Sequence, residues 1–174
     1  ELAELARNGW QPVIVHGGGP AISRALAQFG IESEFVGGLR KTTEPVLDVV
    51  EMVLAGQINK QIVRRILRAG AQTVGLSGVD GRLLAAKKME SDPDIGFVGE
   101  VTQVNAPLLE QLLDIGMIPV VAPLGIGDDA ERYNINADTA AGAVASGLGV
   151  TRLIVITDVP GILRPVNGKQ VVQP

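Results

Sequence analysis

Val13-Ile14-Val15-His16-Gly17-Gly18-Gly19-Pro20 is the stretch on which the reading of this chain turns. Three β-branched residues in a row predict a short strand buried in a sheet. Three glycines then let the backbone approach a ligand closely, and Pro20 suits the first turn of a helix. The inward face of that helix is expected to be Ile22, Leu26 and Phe29. Strand, glycine turn and helix are the layout of an α/β anion site, where free N–H groups and the helix dipole both favour negative charge. A plain tight turn would use the same residues. The third spaced glycine of a dinucleotide fingerprint and the lysine of a Walker motif are both missing.

Outward from this stretch, strands and helices alternate. Leu2, Leu5 and Ala6 share one helical face, which Asn8-Gly9 ends. Glu34 to Arg40 reads as a loop, tightest at Gly37-Gly38. Thr43 precedes a helix beginning at Glu44-Pro45, with Val46, Val49, Val50, Val53 and Leu54 inward and Gly56 as its break. A further helix, Ile58 to Ala69, points Ile62, Ile66 and Leu67 inward. Thr73 to Leu76 is a strand, and Val79 to Arg82 a tight turn. Leu83 to Ala86 and Gly96 to Val104 form an antiparallel excursion around Lys87 to Asp94. Asn105 caps a helix ending at Ile115-Gly116. Ile118 to Ala122 is a buried strand, and Gly125 to Arg132 a polar loop. Asn136 or Asp138 caps an alanine-rich helix to Leu148. Leu153 to Ile156 is a buried strand, and a hairpin or loop starts near Gly161. The pattern predicts an α/β domain, a mostly parallel sheet with helices on both faces, over the whole of residues 1–174.

Composition supports this and narrows the function. Hydrophobic residues make up 46% and aromatics only 3%, so the core must be Val, Ile, Leu and Ala. A net charge of −4 without a basic run argues against nucleic-acid or membrane-surface binding. No apolar run reaches the roughly 20 residues a membrane-spanning helix needs. There is no Cys and a single His, so no thiolate or clustered-histidine metal site can be built.

Four segments carry candidate chemistry. His16 to Gly19 is the first; His16 itself reads as a strand-end residue hydrogen-bonded to backbone, with a general-base role as the alternative. Gly37-Gly38-Leu39-Arg40 is the second, because the guanidinium fork matches a carboxylate and the glycines shape a loop around it. Tyr133-Asn134-Ile135-Asn136-Ala137-Asp138 is the third. If extended, it turns Asn134, Asn136 and Asp138 the same way. If the helix starts at Asn136, they cluster at its mouth, and capping accounts for one or two of them. Thr157-Asp158-Val159-Pro160-Gly161-Ile162-Leu163 is the fourth, following a strand at the carboxyl edge of the sheet; it is also an ordinary Asp-X-Pro-Gly turn.

In order and spacing, HGGG (16–19), GGLRKT (37–42), VGLSGVDG (74–81), YNINAD (133–138) and TDVPGIL (157–163) resemble the acetylglutamate kinases of the amino-acid kinase family, over nearly the whole chain. The resemblance implies a three-layer αβα sandwich with a mainly parallel central sheet, incomplete at both ends. Residues 1–125 would be mostly the N-acetylglutamate lobe and 126–174 the start of the ATP lobe. It implies ATP-dependent phosphorylation of the N-acetyl-L-glutamate side-chain carboxylate, in arginine biosynthesis in the cytoplasm, with Mg²⁺ accompanying ATP. Gly18 and Gly19 match substrate-contacting glycines beside the reacting carboxylate. Arg40 matches the arginine that holds the α-carboxylate, and Asn134 a second substrate ligand. Asp138 matches the aspartate that organises catalytic lysines. Asp158, Val159, Pro160, Gly161, Ile162 and Leu163 match the start of the nucleotide site. The helix from Pro45 to Gly56 matches a homodimer interface.

The family's two catalytic lysines would lie before Glu1 and beyond Pro174, so the chain is expected to be part of a longer protein. Lys41, Lys60, Lys87, Lys88 and Lys169 match neither. Two alternatives share the fold: a kinase of carrier-protein-linked aminoadipate or glutamate, and an amino-acid sensor that binds through Arg40 and Asn134 without turnover.

Overall fold

The strand Ile118–Ala122 (β7) is buried at every position, which requires neighbours on both edges and cover on both faces. In the computed structural model, which describes residues 1–156 and the backbone of 163–166 and 169–172, it has both. Strand Ile14–Val15 (β1) pairs parallel to one edge of β7, with Val15 opposite Val121. Thr73–Ser77 (β4) pairs parallel to the other, Thr73 opposite Ile118 through Ser77 opposite Ala122. Alternation along β7 then sorts the core. Ile118 and Val120 pack with Ala3 of helix Leu2–Arg7 (α1) and Ile66 of helix Asn59–Arg68 (α4). Ala122 joins Ile22 and Leu26 of helix Gly19–Gln28 (α2) and Val46, Val49 and Val50 of helix Glu44–Glu51 (α3). Val121 faces the opposite layer, with Leu109 of helix Ala106–Asp114 (α5) and Ala140 and Val144 of helix Ala137–Gly147 (α6). This is the helix–sheet–helix layering expected.

Two hairpins and a second sheet surround this centre. Phe35–Val36 (β2) and Leu39–Arg40 (β3) pair antiparallel, so the expected loop at 34–40 is a hairpin. Its turn is Gly37-Gly38 with φ of 56° and 83°, the left-handed pair that a two-residue hairpin turn requires. The expected excursion is present as Leu84–Lys88 (β5) against Gly99–Val104 (β6). It belongs to a larger sheet in the order β6-β5-β8-β9, with Leu124–Ile126 (β8) and Arg132–Asn134 (β9). The polar loop expected at 125–132 is therefore mostly the β8–β9 hairpin. Leu163–Val166 (β10) and Lys169–Val172 (β11) form an antiparallel pair.

Four further expectations are corrected. Gly56 does not end the helix it lies in. A π-helical segment, Met52–Ile58, carries the chain from α3 into α4 without a stop. Glycine weakens a helix by only about 1 kcal/mol, and burial of Val53 and Leu54 here outweighs that. Phe29 is 59% exposed because it is the C-cap of α2, where helical geometry no longer sets side-chain direction. Leu67 is exposed because its neighbour Ile66 takes the inward position, and consecutive helical residues point about 100° apart. Leu153 to Ile156 forms no strand and is exposed. An apolar run becomes a strand only where another strand offers hydrogen bonds, and none does so among the described residues.

Candidate functional site

A cavity of about 190 Å³ opens where the glycine turn, the β2–β3 hairpin and the start of α6 meet. Gly17, Gly18 and Gly19 form one wall, Phe35 and Arg40 a second, and Asn134 to Ala137 a third. Three of the four sequence-selected segments thus contribute to one site. The fourth, residues 157–163, lies outside the described residues, apart from the backbone of Leu163 in β10.

Arg40 is the most constrained charge here. It ends β3 and is only 7% exposed. Its guanidinium donates to the Ser33 hydroxyl, to Ser23 Oγ at 2.9 Å and to the Gly19 carbonyl at 3.2 Å. The Phe35 ring covers it, with 4.5 Å to the centroid. None of the ion pairs among the described residues includes Arg40. Three of its five N–H groups are engaged, which leaves donors for an incoming anion. Burial lowers its pKa from the ordinary arginine value, the direction expected when a cation is desolvated without a counter-charge.

The helix mouths complete the anion environment. Both α2 and α6 begin at the cavity, and a Cβ on Gly17 would lie 3.4 Å from Ala137 Cβ. The α6 mouth is closed by its own cap: Asn136 Oδ1 accepts from the N–H of Asp138 at 3.0 Å and of Thr139 at 3.1 Å. The α2 mouth has no side-chain cap. No hydrogen bond among the described residues uses the N–H of Gly17, Gly18 or Gly19. Open donors at a helix N-terminus favour an anion. Gly18 is required for space: a Cβ there would overlap Ile58 Cδ1 and come within 2.8 Å of Leu54 Cδ2.

The profile of the amino acid kinase family matches residues 1–170. The chain belongs to the amino acid kinase family. That family is one of phosphotransferases. An acetylglutamate kinase from Thermoanaerobacter sp. (strain X514) is 52% identical over 161 residues, covering 92% of this chain and 54% of that protein. The chain thus spans little more than half of this relative. Among solved structures, smu.665 from Streptococcus mutans UA159 superposes with a TM-score of 0.88 at 33% identity, over 97% of this chain and 67% of the other. The N-acetylglutamate synthase of Neisseria gonorrhoeae, solved with coenzyme A and N-acetyl-glutamate, gives 0.80 at 25% identity, over 94% and 38%.

Within this amino acid kinase domain, the NINAD segment departs from the shared face that an extended chain would give. Asn134 ends β9 and lines the cavity. Its Nδ2 donates to Thr42 Oγ1 at 3.1 Å, and Thr42 Oγ1 donates to the Arg40 carbonyl at 2.8 Å, so the two sites of β9 and β3 are tied together. Asn136 is spent on the cap. Asp138 stands exposed in the first turn of α6, one residue beyond the cavity wall. Helical geometry begins at Ala137, so the strand alternation stops before Asp138.

The four lysines among residues 1–156 face elsewhere. Lys41 pairs with Glu34, Lys87 with Glu100 and Lys88 with Asp94, while Lys60 Nζ donates to the Gly75 carbonyl at 2.9 Å. Sequence reasoning missed two features. Asn59, fully buried, sits behind the glycine turn. It shares the inward stripe with Ile62 and Ile66, and a polar residue on such a stripe is the signal that would have found it. Arg132 reaches from β9 to α3, bonding Glu51 and, at 3.0 Å, Asp48. Both carboxylates raise its pKa, Glu51 first. Nothing in local sequence joins residues that far apart.

Proposed function

We propose that the protein uses ATP to phosphorylate the side-chain carboxylate of N-acetyl-L-glutamate, giving N-acetyl-glutamyl phosphate and ADP, a step of arginine biosynthesis in the cytoplasm. The observation that carries this is the buried Arg40 guanidinium, without an ion-pair partner among the described residues, in the cavity it lines together with an open glycine turn. A buried cation without a counter-charge is costly, and an anionic ligand removes that cost. The names of the relatives point to the same acceptor.

In this reading Arg40 holds the α-carboxylate and Asn134 binds beside it. Gly18 and Gly19 present N–H donors to the reacting carboxylate and the phosphoryl group in transfer, and so act catalytically. A carboxylate with a free pKa of about 4.3 is ionised at neutral pH, so no general base is required. Its oxygen attacks the γ-phosphorus as the bond to ADP breaks. What the reaction needs is positive charge and fixed donors around the moving phosphoryl group. Asp138, exposed beside the cavity, would organise the catalytic lysines expected outside these 174 residues. Residues 1–125 form most of the acceptor lobe and 126–174 begin the ATP lobe, with Asp158 to Leu163 at the nucleotide. Mg²⁺ would accompany the ATP phosphates and add positive charge there. The protein works as a homodimer through the helix from Pro45 to Gly56, which is α3 and the start of the π-helical segment.

The test is a thermal-shift comparison of N-acetyl-L-glutamate with unacetylated glutamate. At about 100 times its dissociation constant a ligand adds roughly 2.7 kcal/mol of stability. Stabilisation by the acetylated compound alone is the expected result. No shift with it, alongside turnover of a carrier-linked substrate, would move the assignment to the carrier-linked kinases.

A further inference from the structure

Asn59 is fully buried, and its surroundings settle the orientation of its amide. Nδ2 lies 2.9 Å from the Val120 carbonyl and 3.1 Å from the Leu76 carbonyl, groups that can only accept. Oδ1 accepts from Lys60 Nζ at 3.2 Å, a group that can only donate. The amide has two N–H groups for three neighbours, so the contact of Nδ2 with His16 Nε2, at 3.3 Å, is a shared donation; since Nδ2 cannot accept, that ring nitrogen is the unprotonated one. His16 Nδ1 lies 3.1 Å from the Gly17 carbonyl, another pure acceptor, so the ring proton belongs on Nδ1. Both ends of the ring specify the same tautomer.

The segment just before Asn59 presses on the turn from a second direction. The π-helical segment Met52–Ile58 ends at Asn59, and its Leu54 and Ile58 fill the space beside Gly18. Opposite, Gly75 leaves room for the Asn59 amide, which a Cβ would strike. One segment thus touches the glycine turn through Gly18 and, by way of His16, through Gly17.

We propose that Asn59 is a positioning residue for the glycine turn: by holding His16 as the Nδ1–H tautomer it keeps the N–H groups of Gly17 to Gly19 turned into the cavity. The role in affinity rests on the function proposed above; the tautomer does not.

His16 is the sole histidine of these 174 residues, and in a long-range ¹H–¹⁵N correlation spectrum its two ring nitrogens are assigned by their loss in His16→Gln. The expected pattern at neutral pH is Nδ1–H, measured on the unsubstituted protein and without ligand. An Nε2–H pattern overturns the inference whatever the substrate proves to be. In Asn59→Ser the ring should lose this single tautomer, and calorimetry should show N-acetyl-L-glutamate binding weakened roughly tenfold, as for loss of one well-placed hydrogen bond. ATP affinity should fall less than that, because the turn meets ATP only at the phosphoryl group being transferred. A folded Asn59→Ser protein with unchanged affinity for the acetylated compound also overturns the inference. If that variant does not fold, the unsubstituted spectrum still decides it. Absence of binding by the unsubstituted protein would sink the proposed function and leave the tautomer test standing.

Discussion

Arg40 and His16 are buried polar side chains with opposite solutions to the same problem. Arg40 keeps its charge, and if it binds the α-carboxylate as proposed, Arg40→Ala should weaken N-acetyl-L-glutamate binding by about two orders of magnitude, the scale of a charge-assisted pair of hydrogen bonds. Calorimetry checks this, and Arg40→Lys should not restore it, because an ammonium cannot form the fork that reaches Ser23, Ser33 and ligand together. His16 instead gives up its charge: burial lowers its pKa below 6.5, and the bond to Gly17 offsets only part of this. The unfolded chain takes up the proton at the ordinary value while the folded state resists it. His16 therefore contributes stability that is present above pH 6.5 and lost as pH falls through the lowered value. Melting temperature measured against pH should fall on that limb, and His16→Gln, which does not titrate, should flatten it. Arg40 was legible as a ligand-binding candidate from its glycine-flanked position. Its burial was not, because that depends on Phe35, Ser23 and Gly19 folding over it.

At the scale of elements, the π-helical segment decides more than its length suggests. It lets α3 and α4 run on through Gly56 and seats Leu54 and Ile58 against Gly18. Gly18→Ala should therefore destabilise by about 1–3 kcal/mol through overpacking, and weaken acceptor binding as the turn shifts. Adding Ile58→Ala should recover part of both losses, a coupling that a double-mutant cycle reads directly. The Arg132 clamp from β9 to Asp48 and Glu51 is about one-third exposed on the arginine side, so its worth is modest. Arg132→Met should cost about 0.5–1 kcal/mol in denaturant unfolding, with the loss shrinking at high salt. Helix existence was readable throughout, since apolar spacing at 46, 49, 50 and 53 marks one face. The π bulge was not, because nothing in local composition separates a helix that widens at a glycine from one that stops there.

For the whole molecule, α3 presents a mostly apolar groove lined by Phe29, Ile31, Pro45, Val49 and Met52, with Asp48 at its side. Phe29 and Met52 are 59% and 50% exposed. If the proposed homodimer forms there, Met52→Glu should shift sedimentation toward monomer, and an unchanged sedimentation profile would move the interface elsewhere. The sequence by itself determined the layering: short apolar runs at 13–15, 73–76 and 118–122 need burial on both faces, and helices on both sides of a parallel sheet supply it. It also determined which residues are chemically able to hold an anion, because glycine turns and arginine forks are local properties. The tertiary structure alone decided which of these meet. Residues 16–19, 40 and 134 come together because β1, β3 and β9 end at one place, and strand order is set by long-range pairing. It also decided that Asn136 closes one helix mouth while the other stays open, that Leu153 to Ile156 finds no partner strand among the described residues, and that Asn59 reaches His16 beneath the turn. Each of these depends on where a distant backbone donor or acceptor lies, and a local stretch of sequence carries no record of that.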